Sequence, residues 1–307
     1  MTKVFIDGSA GTTGLRIRER LAGRKDLELL ILPEEVRKDP AARAEALNSA
    51  AVSFLCLPDA AAVEAASFVT SPDAVIIDTS TAHRVADGWT YGMPELAGQR
   101  EKLKTAKRIA NPGCHATGFI SLVAPLVEAG LIRKDARLSC FSLTGYSGGG
   151  KKMIAEYESP DADPLYRAPR QYGLGQVHKH LPEMAKVCGL DHAPVFCPVV
   201  APYYAGMEVT VPLTPAETSA SAEDMKDVFR AYYQGGLIRF AEGSDESGFL
   251  SAAAFAGRDD LEVSVYGNEE RILLVSRFDN LGKGASGAAI QNMNIVLGLD
   301  EDTGLVK

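Results

Sequence analysis

Apolar and polar positions in the first third of the chain alternate between two patterns. KVFIDG (3–8), LELLILP (27–33), VSFLCLP (52–58) and AVIIDTS (74–80) are short, almost continuous apolar runs, as expected of strands buried on both faces. Between them TTGLRIRERLAG (12–23), PAARAEALNSA (40–50) and DAAAVEAASFV (59–69) repeat apolar residues at helical spacing. Strands and helices that alternate at these lengths call for right-handed crossovers. The region is therefore predicted to be a doubly wound, Rossmann-type α/β domain around a parallel sheet.

Beyond residue 114 the pattern changes. A helix over 115–129 is followed by strand-like stretches at 137–147, 193–200, 206–213, 261–267 and 271–278, with one helix at 221–236. Strands that cluster without helices between them predict a second, α+β domain with a largely antiparallel sheet, one face of which could serve a dimer. ESPDADPLYRAPRQYG (158–173) is the best candidate for a mobile loop. The last helix, 285–299, is rich in small residues and is expected to pack back on the first domain. The domains are thus placed at 1–114, completed by 285–307, and at 115–284.

At 307 residues, two globular units are the default, and 46% hydrophobic with 23% charged residues is an ordinary globular composition. A formal charge of −8 offers no basic face to nucleic acid. The start, MTKVFIDG, enters a strand pattern at once, and no apolar run approaches a membrane span, so neither a signal peptide nor an anchor is expected. Five cysteines without a C-x-x-C pair fit a reducing compartment, and a cytosolic location is expected.

Chemistry enters with the loop GSAGTTG, between the first strand and the first helix. Gly8, Gly11 and Gly14 can turn the chain, admit a diphosphate to backbone amides and seat the helix on the sheet. Ser9, Thr12 and Thr13 complete the expected cofactor contacts, beside amides at a helix start that attract anions. After the second strand, Arg37 and Lys38 could meet the 2′-phosphate of NADP, whereas Glu34 and Glu35 would oppose it; NADP is favoured.

Cys114 stands at an Asn111-Pro112-Gly113 turn where a helix begins. Positive dipole and free amides there shift a thiol toward thiolate and supply donors for an oxyanion. Cys56, Cys140, Cys188 and Cys197 read as packing residues in strands or a short helix. Two of the five histidines, His178 and His180, share the segment HKHLPE and are candidates for the acid/base. No further ligands at suitable spacing join them, so no metal is expected. His115 and His192 read as structural or solvent-exposed, with His83 left open.

These stretches in this order, GSAGTTG (8–14), DTSTAHR (78–84), YGMPEL (91–96), NPGCHATG (111–118), SGGGKK (147–152), HKHLPE (178–183) and DNLGKGASGAAIQNMN (279–294), resemble the short form of the N-acetyl-γ-glutamyl-phosphate reductases, relatives of aspartate-semialdehyde dehydrogenase. The resemblance implies an NADPH-dependent reductive dephosphorylation in arginine biosynthesis. Cys114 would attack N-acetyl-glutamyl 5-phosphate, phosphate would leave, and hydride transfer to the thioester would give the 5-semialdehyde. By the same analogy His180 is the acid/base, with His178 as the alternative. Substrate contacts would come from Arg84, Asn111, Glu183 and Lys151 or Lys152, and Asn280, Gly282 and Gly284 would approach the nicotinamide. STAHR departs from the SADFR of longer relatives, and the exit of the second strand lacks their Ser-Arg-rich loop. A homodimer or homotetramer is expected. The competing readings are another acyl-phosphate substrate, such as aspartyl phosphate or a lysine-pathway phosphate, and a non-catalytic NADP-binding redox sensor.

Overall fold

The computed structural model describes all 307 residues. The chain forms two compact units, Met1–Pro112 with Ala285–Leu305 and Gly113–Gly284 with Val306–Lys307.

The first unit runs β1 (Thr2–Asp7), α1 (Thr12–Leu21), β2 (Leu27–Leu30), α2 (Pro40–Ser49), β3 (Val52–Leu55), α3 (Asp59–Ser67), β4 (Val75–Asp78), β5 (Thr90–Tyr91), α4 (Gln99–Thr105) and β6 (Arg108–Ala110). All its strand pairs are parallel, in the order β2-β1-β3-β4-β6-β5. Every residue of β3 and β4 is buried, which explains why these strands read as continuous apolar runs. Local signals set the helix starts. Asp39 accepts the Ala42 N–H at 2.8 Å and Pro40 opens α2. The pattern at 90–110 is weaker: α4 is polar, with only Leu103 buried, and β5 has two residues, so neither stands out in the sequence.

The second unit continues with α5 (Cys114–Glu128), β7 (Ser139–Gly145), α6 (Gly150–Glu158), β8 (Arg170–Gln171), α7 (Leu181–Cys188), β9 (Val195–Ala201), β10 (Met207–Leu213), α8 (Ala222–Tyr232), β11 (Gln234–Gly235), β12 (Ile238–Phe240), β13 (Leu261–Gly267) and β14 (Ile272–Phe278). Its eight strands lie in the order β11-β12-β13-β14-β10-β7-β9-β8, antiparallel except for the pairs β7–β9 and β12–β13. α5 is buried from His115 to Leu126, as a helix that is apolar on all sides should be. It lies directly on the sheet: a Cβ at Gly118 would stand 2.4 Å from Val209 Cγ2 and 2.9 Å from Ser276 Oγ. The opposite face of the sheet is open, with Phe141 47%, Val195 57% and Leu273 41% exposed. The stretch 158–173 holds a 3₁₀ turn at Pro164–Arg167 and β8.

A π turn, Gly282–Ser286, leads into α9 (Gly287–Val296), which belongs to the first unit. There α9 packs on α4 and β4, with Ala289, Ile290 and Met293 in one apolar core with Val4, Phe54 and Ile77.

Candidate active site

In a doubly wound sheet, ligands gather beyond the carboxyl ends of the strands. At that edge of the first unit lies the glycine loop. Gly8 has φ +87°, and a Cβ there would stand 2.3 Å from Cys56 O; a Cβ at Gly14 would stand 2.4 Å from Gly8 O. The fold itself therefore requires these two glycines. Gly11 differs: it is the N-cap of α1 with φ −73°, and the atom nearest to a Cβ there is 3.5 Å away. No side chain caps α1, and Thr12 Oγ1 is buried without a hydrogen-bond partner. A helix start without a side-chain cap, an orphan hydroxyl and a glycine that the fold does not need fit an anionic ligand.

Beside this loop is a cavity of about 220 Å³ whose lining includes Gly8, Ser9, Leu57, Arg37 and Lys38. Glu34 and Glu35 are absent from its lining; Glu34 is exposed and paired to Arg37 at 2.5 Å. The charged residues of the lining are Asp7, Arg37, Lys38 and Arg43. Asp7 is paired to Arg43 at 3.0 Å; burial pushes the Asp7 carboxyl above its ordinary range although Arg43 opposes this. Arg43 in turn donates to Glu64 at 2.9 Å. Thr13 lies partly buried in the first turn of α1.

Also in the first unit, Arg84 donates from Nε to Asn111 O at 3.0 Å and from Nη2 to Thr79 O at 3.2 Å. The buried Asn111 amide donates to Ala285 O at 3.0 Å and accepts from Asn292 Nδ2 at 3.2 Å. His83 is buried against Asp78 and Trp89.

The second unit opens at the cysteine. Cys114 is the first residue of α5, partly exposed, behind an N-cap glycine with no side-chain cap. The Gly113 N–H donates to Glu183 Oε1 at 2.9 Å, and Glu183 is 1% exposed. This bond joins the first turn of α5 to the first turn of α7, which begins just after His180. His178 and His180 lie in a turn, their rings perpendicular with centroids 4.8 Å apart. The His180 N–H donates to His178 Nδ1 at 3.2 Å, so that nitrogen is unprotonated and the tautomer of a neutral His178 is set.

A third histidine joins them. His115 is buried, with ring centroids 5.7 Å from His178 and 5.5 Å from His180, and its Phe196 neighbour closes the cluster. Nδ1 lies 2.7 Å from Ser142 Oγ and Nε2 2.6 Å from the Tyr172 hydroxyl. Burial pushes His115 down to about 3, with the His178 charge adding to the effect, so the ring is neutral at physiological pH. Burial raises the Tyr172 hydroxyl, and a charge on Cys114 contributes to that rise. The thiols of Cys140 and Cys188 are likewise pushed up by burial and are poor nucleophiles.

Tyr172 and Ser142 carry no signal as single residues; only the strand between them, β9, brings them together. Ser142 pairs with Pro198 on β9, whose carbonyl accepts the Tyr172 N–H at 3.0 Å. One row along, Thr144, Val200 and Arg170 are partners, so Arg170 is on the same face. Its guanidinium lies 4.0 Å from the Tyr166 ring centroid and donates to the Tyr157 hydroxyl at 2.8 Å. The alternation RQY was the available clue.

Lys151 and Lys152 are exposed on α6, with Lys152 3.9 Å from Glu156. The Asn280 amide is engaged on both sides, accepting from Gly206 N at 3.0 Å and donating to Ser147 Oγ at 2.9 Å. Gly282 is required by the fold, since a Cβ there would stand 1.9 Å from Arg258 O. Gly284 does abut Cys114: its Cβ would stand 3.0 Å from Cys114 Cβ. No group of three or more His, Cys, Asp and Glu side chains is arranged to hold a metal ion. No helix is long and apolar enough to cross a membrane.

A parallel sheet with a glycine loop, followed by a mixed sheet whose covering helix begins at a cysteine, defines the semialdehyde dehydrogenase class of proteins. Residues 33–106 match the model of the semialdehyde dehydrogenase NAD binding domain, and 114–280 that of the semialdehyde dehydrogenase dimerisation domain. Among solved structures the fold resembles aspartate semialdehyde dehydrogenase II from Vibrio cholerae, with TM-score 0.71 at 19% identity over 97% of this chain and 98% of that one. It also resembles aspartate semialdehyde dehydrogenase with NADP from Candida albicans, with TM-score 0.70 at 16% identity over 97% and 98%. Much nearer in sequence are N-acetyl-gamma-glutamyl-phosphate reductase 2 from Nostoc sp., 44% identical over 99% of both chains, and N-acetyl-gamma-glutamyl-phosphate reductase from Brucella ovis, 46% identical over 96% of this chain and 99% of that one. The chain belongs to the N-acetyl-gamma-glutamyl-phosphate reductase family.

Proposed function

We propose that this chain reduces N-acetyl-glutamyl 5-phosphate to N-acetyl-glutamate 5-semialdehyde with NADPH, as a step of arginine biosynthesis in the cytosol. Names of relatives that match nearly end to end support the substrate. The observation that carries the chemistry is the Glu183–Gly113 bond of 2.9 Å, which ties the histidine-bearing start of α7 to the cysteine-bearing start of α5.

In the first step the Cys114 sulfur attacks the acyl carbon, the bond to the phosphate oxygen breaks and inorganic phosphate leaves. Amides of the first turn of α5 stabilise the oxyanion of that addition. Bound in the first unit, a reduced nicotinamide supplies a hydride. At the aldehyde oxidation level the hemithioacetal oxygen is protonated by His180, with His178 in its fixed tautomer as the alternative donor. Return of that proton to the histidine expels the thiolate and frees the aldehyde. Neutral His115 holds the Tyr172 hydroxyl in place.

Residues 1–112 with α9 act as the dinucleotide-binding domain and the second unit as the catalytic one. Gly8, Ser9, Gly11, Thr12, Thr13 and Gly14 hold the diphosphate, and the cations lining the cavity, Arg37 and Lys38, favour the 2′-phosphate of NADP. Arg84 and Arg170 are the cations for the anionic ends of the substrate. Asn111 and Asn280, their amides engaged, position the chain around the site, and Gly282 and Gly284 admit the close approach there. A second copy covers the open sheet face around Phe141, Val195 and Leu273 to form a homodimer or higher homo-oligomer.

The test is phosphate-dependent NADP⁺ reduction by N-acetyl-glutamate semialdehyde. Cys114→Ser is expected to lower turnover by about four orders of magnitude while NADPH binding, followed by fluorescence, is retained. Mass spectrometry of wild type with the acyl phosphate and no reductant should show an acyl adduct on Cys114. Absence of that adduct, or equal loss of cofactor binding in the variant, overturns the reading.

A further inference from the structure

Asp78 ends β4 with a fully buried carboxylate on which donors from one short turn converge. Ser80 gives its backbone N–H to Oδ1 at 2.9 Å and its hydroxyl to Oδ2 at 2.7 Å; His83 Nδ1 lies 2.6 Å from Oδ2. An ionised carboxylate only accepts, so Nδ1 carries the proton whatever the charge of the ring. The face of the same ring lies on Trp89, with centroids 3.8 Å apart and planes 11° from parallel. Trp89 is itself anchored on the apolar cluster of Phe5, Leu55 and Ile76. The imidazole is thus held both in its plane and across its face.

The next residue is Arg84. Its Nε donates to Asn111 O at 3.0 Å, and the Asn111 N–H donates to Asp78 O at 2.8 Å. The bonds close a circuit: Asp78 to Asn111, Asn111 to Arg84, along the chain to His83, and back to Asp78. Asn111 precedes Cys114 by three residues. The chemical steps above do not use His83. A buried imidazole–carboxylate pair is seldom more stabilising than apolar residues of the same volume, whereas its directional bonds do fix an orientation.

We propose that His83 is a positioning residue: with Asp78 and Trp89 it fixes the turn 79–84 so that Arg84 is held in place for the phosphate group of the reaction. This rests on the function proposed above and adds the residue that aims its cation.

Two variants separate the contacts. His83→Phe keeps an aromatic face on Trp89 and loses the Nδ1 proton; His83→Asn keeps a donor to Asp78 and loses the stack. In the phosphate-dependent oxidation of N-acetyl-glutamate semialdehyde, His83→Phe is expected to raise KM for phosphate about tenfold with kcat within about twofold and NADPH binding unchanged. His83→Asn should bring KM back to within about threefold of wild type. In an Arg84→Met background, His83→Phe should change KM no further, because the two act as a unit. The proposal is overturned if KM is unmoved in His83→Phe, if KM, kcat and cofactor binding deteriorate together, if His83→Asn is no better than His83→Phe, or if the effect persists undiminished beside Arg84→Met. A wild type that does not turn over this aldehyde refutes the functional reading itself, and the proposal with it.

Discussion

The glycine loop of the first unit and the cysteine cluster of the second are built from different material. The loop is a backbone site: its parts are amides, a positive φ at Gly8 and the missing Cβ atoms of Gly8 and Gly14, all within seven consecutive residues. The cluster is a side-chain site, in which Cys114, His115, Ser142, Tyr172, His178, His180, Glu183 and Phe196 arrive from five separate stretches. A backbone site tolerates changes of side chain and fails when a Cβ is added. A side-chain site shows the reverse, because its function lies in proton positions and charges.

The sharpest way to break this contrast is to add one carbon. Gly8→Ala places a Cβ against Cys56 O at a left-handed φ, and is expected to destabilise the first unit by at least about 3 kcal/mol and to abolish NADPH binding. Gly11→Ala meets nothing closer than 3.5 Å and should leave the melting temperature within a degree or two, by rough estimate, while weakening NADPH about tenfold. Calorimetry and fluorescence titration check both. If Gly11→Ala melts as early as Gly8→Ala, the fold and not the ligand demands that glycine.

The cluster is probed by pH. His115 falls to about 3 in the folded chain from an ordinary 6.5, so unfolding takes up a proton between those values. Its contribution to stability is complete above about pH 6.5 and is lost as pH falls toward 3, at up to about 1.4 kcal/mol per unit. Urea midpoints at pH 7.5 and 5.5 should diverge more for wild type than for His115→Gln. Equal divergence would mean that the histidine is not held neutral.

The smallest effect belongs to the cavity cations. Arg37→Ala or Lys38→Ala is expected to lower the preference for NADPH over NADH about fivefold, roughly 1 kcal/mol, with NADH itself unaffected. Both residues are partly or fully exposed, so the change should shrink with added salt. An equal loss for NADH would remove them from the 2′-phosphate.

The same contrast explains what could be read in advance. Strands β3 and β4, buried on both sides, announced themselves as apolar runs, and the three glycines stood at their spacing in one short loop. Cys114 was marked by its corner, and the two histidines of HKHLPE by proximity in the chain. Tyr172 and Ser142 were not visible, because pairing of their separate strands with β9 brings residues thirty apart to one imidazole. Glu183 stood out in its motif, but its partner, the Gly113 N–H, is 70 residues away. The role of His83 is not legible in STAHR alone, which carries neither the stack on Trp89 nor the buried carboxylate.

Local periodicity and steric needs were therefore sufficient for the fold class and for the glycine loop, since both depend on neighbours in the chain. Tertiary structure alone decided which imidazole is neutral, which carboxylate holds the cysteine corner and which asparagines are already engaged. Those depend on burial and on partners distant in sequence, and desolvation and hydrogen bonding act through space.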